Sequence, residues 1–354
     1  MTDKKRIAYL DIARGIGMIL VVMGHVEYVN STLRQFISAF HMPLFFLISG
    51  ILIWEKQEEK RQLQELIKHK LHSIMIPYAV FSLLSFLMEG SRIAIKGLTE
   101  WPIVFRQLYQ SLCLQGVSTL WFLPALFMSE LLFIGIRKKT KTGWTIAIVS
   151  AILVIVVYLN TLEKAVYQSH TQSLAWGLLH DVLSMVLRNL FCVVFVAGGY
   201  YLRRYILHRL QKIWQKFSCL VAFVILTALS IPMNWGVDLR YMNLGEPLFY
   251  LAGAFCGSMM ILYLSLLLAA VPIKAFVAPL EFYGRNSLII MVTHMDFRVL
   301  YCSIRLAGLV QGVWSHQGLF CCCILIFVFL IEIPIILFIN RYMPMILGRK
   351  HKIS

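Results

Sequence analysis

Apolar residues along this chain gather into ten runs of 17 to 25 residues, separated by short polar segments. A helix of about 20 mostly apolar residues crosses a bilayer. The pattern therefore predicts spanning helices at 7–29, 35–54, 73–90, 119–136, 143–160, 182–202, 217–233, 246–270, 286–307 and 318–340. The expected fold is all-α, a polytopic membrane bundle of about ten helices forming a single domain over residues 1–354. The charged stretch 55–72 reads as an amphipathic helix feeding the third span, or simply as a solvated connector. Segment 91–118 contains Trp101-Pro102 and an apolar stretch too short to span, which suits an interfacial position. No internal repeat, glycine-rich phosphate loop or cleavable signal peptide is visible, and no separate extracytoplasmic domain is expected.

The first two runs carry polar residues that lipid does not tolerate: Asp11, Arg14 and His25 on the first, His41 and Ser49 on the second. At 100° per residue, Arg14 and His25 lie about 20° apart around the helix, and Asp11 and His25 about 40° apart. The three share one face over roughly 20 Å of helix length. An ionisable stripe inside a membrane helix faces a bundle interior or a water-filled cavity, and marks a candidate functional site. Glu130, Arg188 and Glu332 are further intramembrane charges that need partners, which sequence alone does not identify.

Composition agrees with the membrane reading. The chain is 59% hydrophobic, against roughly 45–50% in soluble domains. A net charge of +16 would suggest nucleic acid in a soluble protein. Here no basic patch is interleaved with exposed aromatics, so nucleic acid is not an expected partner. Of the 33 Lys and Arg residues, 23 fall in alternate inter-helix segments, beginning with Lys4, Lys5 and Arg6 and ending with Lys350 and Lys352. Six lie in the opposite segments (Arg34, Arg92, Lys96, Arg106, Lys164, Arg240), and Arg14, Arg188, Arg298 and Arg305 lie within spans. The positive-inside rule then puts both termini in the cytoplasm, with Asp11 and Arg14 near the cytoplasmic face and His25 toward the outer leaflet. Seven of the eight cysteines sit in apolar runs with no C-x-x-C pair, which reads as packing rather than metal binding or a disulfide framework.

Several motifs resemble those of membrane-bound acyltransferase family 3, the O-acetyltransferase-like family, and most closely its fucose-O-acetyltransferase-like branch. Arg14-x10-His25 matches the family's first-helix pattern, and His41-Met42-Pro43-Leu44-Phe45-Phe46 with Ser49-Gly50 its second-helix signature. Leu120-Trp121-Phe122-Leu123-Pro124 is similar to its Trp-Phe-Leu segment. Tyr283-Gly284-Arg285-Asn286-Ser287, with His294 seven residues later, resembles its late motif, and Arg341-Tyr342-Met343-Pro344 its C-terminal segment. The family often has arginines just before the third-helix proline; His72 and Ser73 stand there, leaving Lys70 as the candidate for that role.

The resemblance implies acyl transfer, usually of acetyl, from cytosolic acetyl-CoA to a sugar hydroxyl on an envelope or exported glycan or a lipid-linked sugar. It also implies a multi-pass protein of a bacterial cytoplasmic membrane, with no metal. Self-association into a homo-oligomer stays open. His25 and Asp11 are the catalytic candidates: His25 as the base, since imidazole titrates near neutral pH, and Asp11 as a partner that holds Arg14. Arg14 meets the donor's phosphates, or forms an internal salt bridge with Asp11. His41 orients the acceptor or supports His25, unless it is only a polar interface residue. Lys68, Lys70 and His72 help hold an anionic cytosolic ligand, unless their segment is only a solvated connector, and Ser49 contributes close helix packing. Trp121 reads as packing or as a sugar platform. Asn286 and Ser287 are carried by the late motif, and His294 is expected to line the same cavity. The alternative function is a transporter or flippase for a polysaccharide or small solute, which a polar-lined bundle also suits.

Overall fold

The computed structural model describes residues 7–169, 174–207, 212–230, 232–271, 274–310 and 316–349. Lys4, Lys5, Arg6, Arg209, Lys350 and Lys352, counted above among the basic loop residues, lie outside them, as does Ile231 in the seventh predicted span. The described chain is helical, and its β structure is limited to an isolated bridge between Asp238 and Asn243. In order the helices are α1 (Ala8–His25), α2 (Ser31–Glu55), α3 (Leu63–Lys70), α4 (Ile76–Lys96), α5 (Trp101–Leu112), α6 (Phe122–Lys139) and α7 (Thr142–Ser169). They continue as α8 (Leu174–Leu202), α9 (Ile213–Ser230), α10 (Pro247–Leu268), α11 (Lys274–Arg285), α12 (Ser287–Thr293), α13 (Val299–Ala307) and α14 (Gln317–Tyr342). Among the described residues, nine helical segments are long and apolar enough to cross a membrane.

Two predicted elements change. The amphipathic stretch and the third span form one rod, Leu63–Lys96, with a π turn at Leu71–Met75. Pro77 has no N–H for the Ser73 carbonyl and its ring crowds that carbonyl, so the widened turn fits where it falls. The ninth predicted span, 286–307, is not a continuous helix. α12 stops at Thr293, Arg298 turns left-handed at φ 58°, and α13 resumes at Val299. The turn closes through Leu300 N–H donating to the His294 carbonyl at 2.9 Å. Non-helical backbone at membrane depth survives only where protein buries it or where it lines a cavity, and His294 is completely buried there. Ahead of this break, α11 is a helix where the hydropathy pattern suggested a loop. Segment 91–118 contains the short α5, with Pro102 in its first turn and only Val104 buried.

Glycines set the closest helix contacts. A methyl group at Gly284 would lie 1.7 Å from the Asp11 carbonyl oxygen, and one at Gly15 2.1 Å from that of Leu280, so α1 and α11 meet backbone to backbone. Gly50 against the Val196 carbonyl and Gly199 against that of Leu47 do the same for α2 and α8, each at 1.9 Å. Small residues are what permit such an approach. α2 is the central helix, burying Phe40, Leu44, Phe46 and Leu47.

Segments assigned to one membrane side gather at one end. Arg203 pairs with Glu55, Lys138 bonds the Arg61 carbonyl, and Arg204 donates to Thr142 Oγ1 at 3.2 Å. At the opposite end Gln317 donates to the Tyr28 carbonyl at 2.6 Å, and Lys164 to that of Met242 at 2.8 Å. The first is the basic end of the bundle and the second its far end.

Candidate active site

At the far end, α1 stops at His25 because Val26 is extended. Arg34 pins the turn that follows, its Nη2 donating to the carbonyls of Val26 at 3.1 Å and Glu27 at 2.8 Å. A cation there also complements the negative end of the α1 dipole. His25 is exposed into a cavity of about 240 Å³ that is also lined by His41, Trp121, Thr119, Ser38, Arg34 and Arg240. His41 Nδ1 lies 2.8 Å from the Ile37 carbonyl. Only an N–H can bond a carbonyl, so its Nε2 is left as an acceptor or a second donor.

The break between α12 and α13 delivers a third imidazole. The His294 and His25 ring centroids are 5.4 Å apart. His294 Nδ1 donates to the Ile290 carbonyl at 2.7 Å, and its buried Nε2 has no hydrogen-bond partner among the described residues. Thr293, its neighbour, places Oγ1 2.7 Å from both the Ile289 carbonyl and Glu332 Oε1, which ties the break to α14.

At the basic end lies a larger cavity of about 840 Å³, lined by Arg14, Arg285, Lys56 and Arg61 together with Asp11 and Glu55. Its two acids are already engaged. Asp11 Oδ1 lies 3.6 Å from Arg14 and Oδ2 3.3 Å from Arg285 Nε, while Glu55 pairs with Arg203. Burial pushes the Lys56 ammonium below the usual lysine value. The chamber therefore presents a surplus of positive charge to whatever occupies it.

A middle cavity of about 250 Å³ lies between the two. It shares Arg14, Leu52 and Arg285 with the basic-end chamber and Met291 with the far-end one. Phe45, Phe122, Leu123 and Leu126 make it mostly apolar, with Ser49, Glu130 and Ser287 as polar wall. Behind that wall Lys70 is clamped between Glu130 at 2.6 Å and Glu58 at 2.7 Å, and Ser49 donates to Glu130.

The residues singled out from sequence thus divide by place. His25, His41 and Trp121 share the far-end cavity, with His294 behind His25. Arg14 bounds both of the other cavities. Asp11 requires correction as a catalytic candidate, though not as the residue that holds Arg14: fourteen residues on one helix, about 21 Å, separate it from His25, and its carboxylate serves Arg14 and Arg285. Lys70 requires correction too, since both of its ion-pair partners are protein carboxylates and only 5% of it is exposed. Ser49 belongs to that network, while the adjacent Gly50 makes the close helix contact. Asn286 donates to the Phe282 carbonyl and accepts from Asn340 Nδ2, each at 2.8 Å, fastening the α11–α12 joint to α14. Ser287 lines the middle cavity.

Arg285, Met291, Arg240 and Glu58 were not singled out from sequence. Arg285 stood inside the late motif and could have been found there; the others carry no sequence signal. The charges left unpaired find partners. Glu130 takes Lys70, and Glu332 takes Thr293. Arg188 donates to the carbonyls of Gln115 and Arg240 at 3.1 Å each, and stacks 4.9 Å over Trp121.

No curated protein and no solved structure matches the chain. The family model described as an acyltransferase domain matches residues 7–333, nearly the whole length. The chain accordingly belongs to acyltransferase family 3, and is a multi-pass membrane acyltransferase.

Proposed function

We propose that this acyltransferase moves an acetyl group from acetyl-CoA, bound at the basic end, to a sugar hydroxyl of an envelope or exported glycan at the far end. The observation that carries the reading is the row of three cavities with shared walls. The phosphates of CoA suit Arg14, Arg285, Lys56 and Arg61, since guanidinium forks bind phosphate bidentately and lysine supplies a point charge. The apolar middle cavity suits the uncharged arm that carries the thioester. From Arg14 to His25 the helix rises about 16 Å, so an elongated donor reaches the imidazoles while its phosphates stay at the basic end.

In this reading His25 accepts the proton of the acceptor hydroxyl as its oxygen attacks the thioester carbonyl. The tetrahedral adduct collapses with cleavage of the C–S bond, and the imidazolium returns the proton to the departing CoA thiolate. His294 Nε2, with no other partner among the described residues, is the neighbour able to accept an N–H from His25 and fix its tautomer, as orienting groups do for catalytic histidines. With the basic end facing the cytoplasm, as the distribution of Lys and Arg favours, donor and acceptor enter from opposite sides.

The test is purified protein in proteoliposomes with radiolabelled acetyl-CoA. Release of CoA and label on glycan from the envelope support the proposal. A protein that binds no acyl-CoA, yet moves glycan across the bilayer, would replace it with transport.

A further inference from the structure

The far-end cavity holds more charge than proton transfer to a neutral hydroxyl requires. Arg34 and Arg240 line it beside His25 and His41, together with the Asp238 carboxylate, and the Asp296 carboxylate stands behind the lining residue Thr119, accepting from its hydroxyl at 3.3 Å. Arg34 caps the turn after α1 with Nη2 on two carbonyls, while its buried Nε has no hydrogen-bond partner among the described residues. Arg240 is differently placed. No ion pair among the described residues includes its guanidinium, which lies 5.1 Å over the Tyr241 ring. Asp238 meets the loop backbone instead, its Oδ1 accepting from the Arg240 N–H at 2.8 Å.

The loop that carries Arg240 is held from three helices. From α2, Gln35 grips the Asn234 carbonyl and accepts from the Gly236 N–H at 2.9 Å. From α7, Asn160 and Lys164 both donate to the Met242 carbonyl, at 3.2 and 2.8 Å. From α8, Arg188 donates to the Arg240 carbonyl itself at 3.1 Å. Asp238 and Asn243 exchange two backbone bonds of 2.8 Å across the loop. A guanidinium on so fixed a backbone, facing the same cavity as the imidazoles, has the form of an oxyanion receptor.

We propose that the acceptor carries an anion, a carboxylate or a phosphate, close to the hydroxyl that is acylated, and that Arg240 binds it. The inference rests on the acetyl-transfer reading above and narrows its acceptor class. A sugar acid within the glycan and a phosphate linking the sugar to a lipid or to its neighbour share this chemistry. Arg240 is on this account a specificity-determining residue: it selects and orients the acceptor, and His25 acts on the hydroxyl so presented.

The experiment measures label transfer from radiolabelled acetyl-CoA to three samples of envelope glycan: untreated, with carboxylates reduced to alcohols, and with phosphoesters cleaved. One treatment should lower transfer at least tenfold, and which one does so identifies the anion. Arg240→Gln should raise the KM for untreated glycan about tenfold or more and erase the difference between untreated and treated glycan. Arg240→Lys, which keeps the charge, should restore much of the preference, whereas a packing role would not be rescued. Transfer that survives both treatments, or an Arg240→Gln enzyme with an unaltered acceptor KM, overturns the inference. If the Gln variant does not fold, the glycan treatments on the wild-type protein decide alone. Slow hydrolysis of acetyl-CoA without acceptor separates the two levels. Hydrolysis with equal use of charged and uncharged glycan defeats the inference alone. Absence of transfer to any glycan defeats the glycan acceptor and the inference with it, and absence of acetyl-CoA turnover defeats the donor as well.

Discussion

Replacing Lys70 with methionine probes the part of the structure that sequence misjudged most. The ammonium lies 2.6 Å from Glu130 and 2.7 Å from Glu58, with 6% of its side chain exposed and 9% and 4% of theirs. At an effective permittivity of about 20 each contact is worth about 6 kcal/mol, and removal of three charges from water offsets most of that. What remains is an asymmetry. The intact cluster contributes little net stability, whereas deleting one member strands the others, typically at a cost of about 3–5 kcal/mol. Lys70→Met leaves two carboxylates facing each other across an apolar side chain. It also frees the loop bearing Glu58, the same loop whose Lys56, Gln57 and Arg61 line the basic-end cavity. At about 2 °C per kcal/mol, a conservative figure for a chain longer than 250 residues, the melting temperature in detergent should fall by about 6–10 °C. The triple variant Glu58→Gln, Lys70→Met, Glu130→Gln removes all three charges and should regain most of the loss. Lys68→Met, two residues away and exposed, should move the midpoint by less than about 0.5 kcal/mol. A Lys70→Met protein that melts with the wild type would refute the clamp and return Lys70 to the donor chamber.

Gly284→Ala should abolish folding or activity, because its methyl meets the Asp11 carbonyl at 1.7 Å, a backbone atom that cannot step aside; yield and melting in detergent check this. Gly90→Ala, where no described residue stands within 4 Å of the added methyl, is the matched control and should be neutral. Lys56 gives a pH signature. Its ammonium is held below the ordinary lysine value by burial, so it loses charge as pH rises before a free lysine, near 10.4, would. Donor KM should therefore climb on the alkaline side in the wild type and stay flatter in Lys56→Arg, whose guanidinium remains charged; identical profiles would remove Lys56 from the donor chamber.

Much of the fold was legible because crossing a bilayer demands a long apolar run, and such runs are hard to conceal in a sequence. The exception is instructive. Segment 286–307 has the hydropathy of a span, but hydropathy does not register a left-handed Arg298 or a helix ended at Thr293. The polar trio His294, Asp296 and Arg298 in mid-run was the available sign that this crossing is broken. The site was legible where it is local. Asp11 and Arg14 pair one turn apart, and helical periodicity puts His25 on their face. It was not legible where it depends on contacts between distant segments. His25 meets His294 across 269 positions, and Lys70 meets Glu130 across 60, with no spacing rule to announce either. A basic residue near the membrane surface also reads the same whether it awaits a ligand or already holds two carboxylates, and Lys70 is the second case.

The central claim is that His25 is the base at the far end of a donor path beginning at Arg14. The direct measurement compares wild type with His25→Ala in proteoliposomes, following label from acetyl-CoA onto envelope glycan and its slow loss to water without acceptor. Loss of a general base lowers turnover by about 100-fold or more, and a fall of that size in both readouts is the predicted result. Unchanged turnover in His25→Ala would contradict the account and move the chemistry to His294 or His41.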